Sequence, residues 1–221
     1  MNKKLLIPIL LFLVIGLTTN LNSLKAQSSI TIDASQQITN FVFTDGNGIQ
    51  DNTYLIFGEE NLYKPVYSGA YSVGYSYLLN FGMFIRASVG MRNSGATMVY
   101  DATNYQWNFK YLQGKLGVGY ALSLGRINPY LGVSGYYGQL VKAQQIINNE
   151  DFDIIDSEDI QTNDYGLYIS PGVRIDASEF ISVYSELGYS IGLQNIETAD
   201  NGQEAKNLAY MLTLGLSFTI K

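Results

Sequence analysis

The chain has 221 residues, 47% hydrophobic but only 14% charged, with 18 Tyr, 22 Gly and a single Trp. That is room for one domain of ordinary size, carrying far fewer charges than the roughly 25% usual in a soluble one. A net charge of −6 leaves no electrostatic footprint for nucleic acid, and zero Cys and zero His exclude disulfide frameworks, thiolate or imidazole zinc sites, and catalysis through a His base or a Cys nucleophile.

The first element is an export signal. Met1-Asn2-Lys3-Lys4, the apolar run 5–17 and Leu24-Lys25-Ala26-Gln27 after a polar stretch read as a secretory signal peptide over 1–26, cut before Gln27. The apolar run falls short of the roughly 20 residues a spanning helix needs. Its removal takes Lys3, Lys4 and Lys25 away and lowers the net charge from −6 to −9. The remaining chain, 27–221, reads as one domain.

From residue 67 onward the hydrophobic pattern has period 2, the signature of strands with two unlike faces. A first, less regular strand falls somewhere in 30–44. Alternating segments follow at 67–79, 83–100, 105–122, 127–141, 165–175, 181–194 and 208–220. In the last of these Leu208, Tyr210, Leu212, Leu214, Leu216, Phe218 and Ile220 share one face, against Ala209, Met211, Thr213, Gly215, Ser217 and Thr219 on the other. In 105–122 the outward set is Leu112, Leu116, Val118, Tyr120 and Leu122, whereas Trp107, Phe109 and Tyr111 have the opposite parity, which points to a bulge or to an end projecting beyond a membrane.

Connections at 79–82, 125–126 and 176–179 are tight, that at 101–105 is modest, and those at 45–66, 147–164 and 195–207 are longer and polar. A large apolar face opposed to one of Gly, Ser, Thr and Tyr does not suit a water-soluble sandwich, whose outer face carries charges. It suits an all-β, eight-stranded antiparallel transmembrane β-barrel with short periplasmic turns and longer extracellular loops. Tyr63, Tyr67, Tyr100, Tyr105, Trp107, Tyr130, Tyr137 and Tyr165, near strand ends, are candidates for interface girdles or for a sticky extracellular surface.

The strings Tyr67-Ser68-Gly69-Ala70-Tyr71-Ser72-Val73-Gly74-Tyr75, Pro129-Tyr130-Leu131-Gly132-Val133-Ser134 and Leu214-Gly215-Leu216-Ser217-Phe218-Thr219-Ile220 resemble those of small Bacteroidetes-type outer-membrane barrels, the PorT-like and OmpX-like group. The resemblance implies residence in the outer membrane of a Gram-negative bacterium, contact with its lipid and lipopolysaccharide, and delivery by the barrel-assembly machinery, which reads a terminal aromatic; here the last one is Phe218. It also implies an extracellular or secretion-system protein as a partner.

Inward parity collects Arg86, Arg92, Lys115, Lys142, Arg174 and Glu186, with Asp176 near the short-turn rim. Ionisable groups at membrane depth are costly unless paired or hydrated. An eight-stranded barrel is just wide enough for side chains to fill it. These residues are therefore expected to form a polar plug, with Glu186 facing an excess of cations, or else the filter of a narrow channel. The acidic run Glu150, Asp151, Asp153, Asp156, Glu158 and Asp159, continued by Asp164, is a candidate for a loop cation or a partner contact, although its spacing fits no calcium-loop template.

Enzymatic motifs fail on inspection. Gly188-Tyr189-Ser190-Ile191-Gly192 matches a nucleophile-elbow string, yet lies within an alternating strand in a chain with no His. Gly114-Lys115 is followed by Leu116 where a phosphate loop needs Ser or Thr. A non-enzymatic protein without a cofactor is expected.

Overall fold

The structure is a computed structural model that describes residues 26–44, 50–51, 53–56, 59–197 and 204–220. The signal-peptide reading thus falls outside the described residues up to Lys25.

Eight long strands follow one another: β1 (Gln27–Thr44), β2 (Lys64–Leu78), β3 (Met83–Tyr100), β4 (Thr103–Ala121), β5 (Ile127–Ile147), β6 (Asn163–Asp176), β7 (Ile181–Gly192) and β8 (Glu204–Ile220). Each pairs antiparallel with its chain neighbours, and β8 returns to β1 from Ser28↔Ile220 to Thr44↔Glu204. The sheet closes on itself, so the eight long strands have no free edge between them, the condition for crossing hydrocarbon. Shorter strands at Thr53–Ile56, Glu59–Leu62 and Glu150–Asp153 decorate one end.

Alternation decides which face is which. Along β8, Ala205, Asn207, Ala209, Thr213 and Ser217 are buried, while Tyr210, Leu212, Leu214, Leu216 and Ile220 are exposed. The other strands repeat this, with Ile30, Ile32, Val73, Ile85, Val89, Leu116, Val118, Leu167, Val183 and Leu187 all on the outside. An apolar exterior around a polar interior is stable in lipid and not in water.

Three tight turns share one end with both strand termini. Gly82 (φ +94) and Gly125 (φ +82) supply the left-handed residues two of them require, and the Ser178 hydroxyl accepts bonds from the Phe180 and Ile181 amides in the third. At the opposite end, the connection expected to be modest is a two-residue turn, Asp101-Ala102, with both residues at positive φ as a type I′ hairpin needs. Asn148-Asn149 makes a second such turn and folds Glu150–Asp153 back onto Gln144–Ile147.

Inside, aromatic rings lie on glycines of the next strand. Tyr130 stands opposite Gly172, Tyr136 opposite Gly166 and Tyr184 opposite Gly215. A Cβ on Gly172 would come within 2.6 Å of the Tyr130 ring and 2.7 Å of the Ser185 carbonyl oxygen, both impossible without displacement. Gly172→Val is accordingly expected to destabilise by about 1–3 kcal/mol. Gly135→Val, with nothing near its Cβ position, should leave the urea unfolding midpoint nearly unchanged.

Candidate functional site

The lumen holds two tiers of charge. In the lower tier Glu186 of β7 accepts from the Arg86 guanidinium of β3, from the Tyr130 hydroxyl at 2.8 Å and from the Tyr168 hydroxyl at 3.3 Å. The Arg86 guanidinium carbon stands 5.2–5.6 Å from the ring centroids of Tyr184, Phe84 and Tyr130, whose electron-rich faces favour a cation. Asp33 of β1 accepts from Ser72 at 2.8 Å and from the Tyr184 hydroxyl at 2.9 Å. Lys115 of β4 places its ammonium 5.1 Å from the centroid of Tyr168.

In the upper tier Asp164 of β6 is wholly buried and accepts from Arg92 at 2.5 Å, from the Asn207 amide at 3.1 Å and from the Tyr136 hydroxyl at 3.3 Å. Arg92 is itself 3% exposed and packs on the Tyr136 and Tyr111 rings at 4.8 and 5.4 Å. Charge-assisted bonds of this kind are the strong ones, and burial of both partners keeps water from competing. At the short-turn rim Arg174 pairs with Asp176 at 3.1 Å, and Asp176 also accepts from Asn128 and Ser182.

Five of the six residues assigned to the lumen from the sequence, Arg86, Arg92, Lys115, Arg174 and Glu186, are there. Lys142 is not. The β4–β5 register passes from Lys110↔Lys142 to Tyr111↔Leu140, so Val141 is an extra residue in β5. This bulge inverts the parity beyond it, burying Ala143 and exposing Lys142. The expected excess of cations around Glu186 is likewise corrected, because Asp33 and Asp164 also point inward. Arg86, Arg92 and Lys115 are matched by Asp33, Asp164 and Glu186.

Around the two tiers little of the lumen is left, whereas its short-turn mouth opens into a space of about 530 Å³ lined by Gln27, Asp176, Ser182 and Thr219. Two cavities of about 20 Å³ each flank Lys115, one lined by Arg92, Gln113 and Tyr136 and the other by Arg86, Ser134 and Glu186. Each has space for little more than one water molecule. Ser190 of the nucleophile-elbow string is buried on the inner face of β7, within the strand and not at a strand-to-helix turn.

This architecture can be set beside solved proteins. The chain is similar to the outer membrane protein AlkL, determined by solid-state NMR in DMPC bilayers, with 14% identity and a TM-score of 0.50 over 92% of this chain and 94% of that one. The fold is that of a small outer-membrane β-barrel. OprG from Pseudomonas aeruginosa superposes with 12% identity and a TM-score of 0.49 over 91% of this chain and 99% of that one. Ail, the attachment invasion locus protein of Yersinia pestis, does so with 12% identity and a TM-score of 0.46 over 89% and 100%. At these identities the likeness is one of fold. Neither a family model nor a curated protein sequence matches the chain.

The long-loop end is closed by apolar packing. Phe41, Tyr63, Met98, Phe109, Leu140 and Ile196 form a buried cluster, with Trp107, Ile154, Ile155 and Ile160 packed against it. The aromatic run in 105–111 keeps inward parity throughout β4, so its apolar side chains stopper the barrel above the polar tiers, and the bulge sits on the neighbouring strand. Of the girdle candidates, Tyr67, Tyr137 and Tyr165 face outward, while Tyr63 and Tyr130 are buried and Tyr105 and Trp107 pack on the stopper.

The acidic loop crosses this stopper and is held down by its isoleucines and by bonds from Leu140 N to Thr162 O (2.7 Å) and from Gln161 N to Ile196 O (2.9 Å). Glu150, Asp151, Asp153, Asp156, Glu158 and Asp159 are exposed on its outer side. They do not converge: among the described residues no three carboxylates come together as a metal would require. The cation reading of this loop therefore finds no geometry to support it.

Proposed function

We propose that this protein is a non-enzymatic integral barrel of the Gram-negative outer membrane whose lumen is closed and whose working surface is the long-loop end, facing the cell exterior. The observation that carries this is the filled middle of the lumen: two tiers of paired charge with cavities of about 20 Å³ each beside Lys115, and an apolar stopper above them. A hydrated ion cannot traverse that interior without breaking a buried pair. The apolar exterior supports outer-membrane lipid and lipopolysaccharide as surroundings, and an outward Phe218 near the end of β8 supports delivery by the barrel-assembly machinery.

Within this class, the strand motifs at 67–75, 129–134 and 214–220 support the Bacteroidetes-type, PorT-like grouping. With it comes an extracellular or secretion-system protein as the partner to be sought at the acidic loop. Charged loops anchored on a rigid scaffold are where interaction residues concentrate.

The test is single-channel recording of the refolded chain in a planar bilayer, using samples whose unboiled gel mobility differs from the boiled form. A folded and electrically silent barrel is the expected result. Reproducible current steps from the native chain would overturn the closed-lumen reading and return function to Arg86, Arg92, Lys115, Arg174 and Glu186 as a filter.

A further inference from the structure

A cleft of about 430 Å³ opens at the long-loop end, above the polar tiers and apart from them. Its walls are Phe41 of β1, Tyr63, Trp107 and Phe109 of β4, and Ile154 and Ile160 from the acidic loop. The rings are contiguous, with centroids 6.1 Å apart for Phe41 and Tyr63, 5.7 Å for Phe41 and Phe109, and 5.3 Å for Tyr63 and Trp107. Its volume lies within the roughly 300–1,000 Å³ range of small-molecule sites, and its lining sets the four rings and the isoleucines against polar groups of Gln145, Ser157, Asp159 and Glu197.

Charge selects the occupant. Asp159 and Glu197 stand among the lining residues, and the loop covering the cleft carries Glu150, Asp151, Asp153, Asp156 and Glu158 with no basic residue between 148 and 164. Aromatic faces attract cations, most strongly where water is excluded, and a carboxylate rim adds a long-range pull of the same sign. An anion or a strongly polar neutral molecule gains from neither the walls nor the rim.

We infer that this cleft binds a small amphipathic organic cation, its apolar body among Phe41, Tyr63, Trp107 and Phe109 and its ammonium head toward Asp159 and Glu197. The inference rests on the proposed function only for which side of the membrane the cleft faces. A conducting lumen would leave it standing.

Trp107 is the only Trp of the chain, so its fluorescence reports on this cleft alone. The experiment titrates the refolded full-length mature chain, in octyl glucoside to avoid choline headgroups, with benzyltrimethylammonium, benzyl alcohol and phenylacetate. Expected is a saturable change in Trp107 emission with benzyltrimethylammonium, about tenfold weaker binding of benzyl alcohol and no saturable binding of phenylacetate. Asp159→Asn combined with Glu197→Gln should weaken the cation about tenfold while gel mobility stays that of the folded barrel. Glu179→Gln, at the short-turn end of the barrel, should leave the affinity unchanged. Equal affinity for the alcohol and the cation, or no saturable response in a folded sample, overturns the assignment; the second result is also what a loop of this chain filling the cleft would give.

Discussion

Replacing Glu186 with Leu is expected to lower the unfolding free energy by about 3–5 kcal/mol, the usual cost of removing one partner from a buried ion pair. Glu186 is 4% exposed and is the acceptor for Arg86, Tyr130 and Tyr168 together, so its loss strands a guanidinium and two hydroxyls in a space with room for about one water. The cost lies in the stranded charge more than in the lost attraction. Arg86→Leu with Glu186→Leu should therefore recover much of the stability, because two apolar side chains of similar length need no partners. The check is a urea titration followed by the heat-modifiable gel shift. A double variant less stable than either single one would show that the pair itself, and not the orphaned group, dominates.

Asp164 gives the second large effect. Asp164→Ala should cost about 3–5 kcal/mol, since Arg92, at 3% exposure, loses its only ion-pair partner among the described residues and Asn207 and Tyr136 lose an acceptor. Asp151→Ala and Asp153→Ala, a dozen residues earlier in the same acidic run, are exposed and should shift stability by no more than about 0.5 kcal/mol. The same titration separates them. Equal effects at Asp164 and Asp151 would mean that the upper tier is hydrated and contributes little to folding.

Asp164 also shows where the sequence stops being legible. The strands were readable because a barrel wall separates lipid from a polar lumen, so each strand carries two chemically unlike faces. That contrast fixed the parity of Arg86, Arg92, Lys115, Arg174 and Glu186 without any knowledge of the pairing. It fades at strand ends. Asp164 adjoins the apolar alternation beginning at Tyr165 and merges, in composition, with the loop acids before it. Asp33 lies in β1, where exposed Gln36 and inward Gln37 blur the alternation.

Lys142 failed for a different reason. Parity counts residues, and a single bulge at Val141 shifts the count with no trace in composition. Trp107 and Phe109 posed the reverse difficulty: their parity was right, but an apolar inward face reads as a contradiction unless the lumen changes character along its length. The pairing of carboxylates with particular arginines is a property of the closed ring, and no local window of sequence contains both members.

The ring order has a mechanical consequence. β3 and β7 stand four strands apart in either direction around the barrel, so the Arg86–Glu186 pair is a strut across the full diameter, and Arg92–Asp164 braces β3 against the strand beside β7. A hollow tube of eight strands can be squeezed into an ellipse by the lateral pressure of lipid at little cost, because neighbouring strands merely hinge along their ladders. With struts in place the cross-section is held nearly circular, and flattening it in either sense stretches or crushes a buried pair. The molecule meets the bilayer as a solid pin, and what it displays above the membrane stands on a footing that lipid composition does not deform.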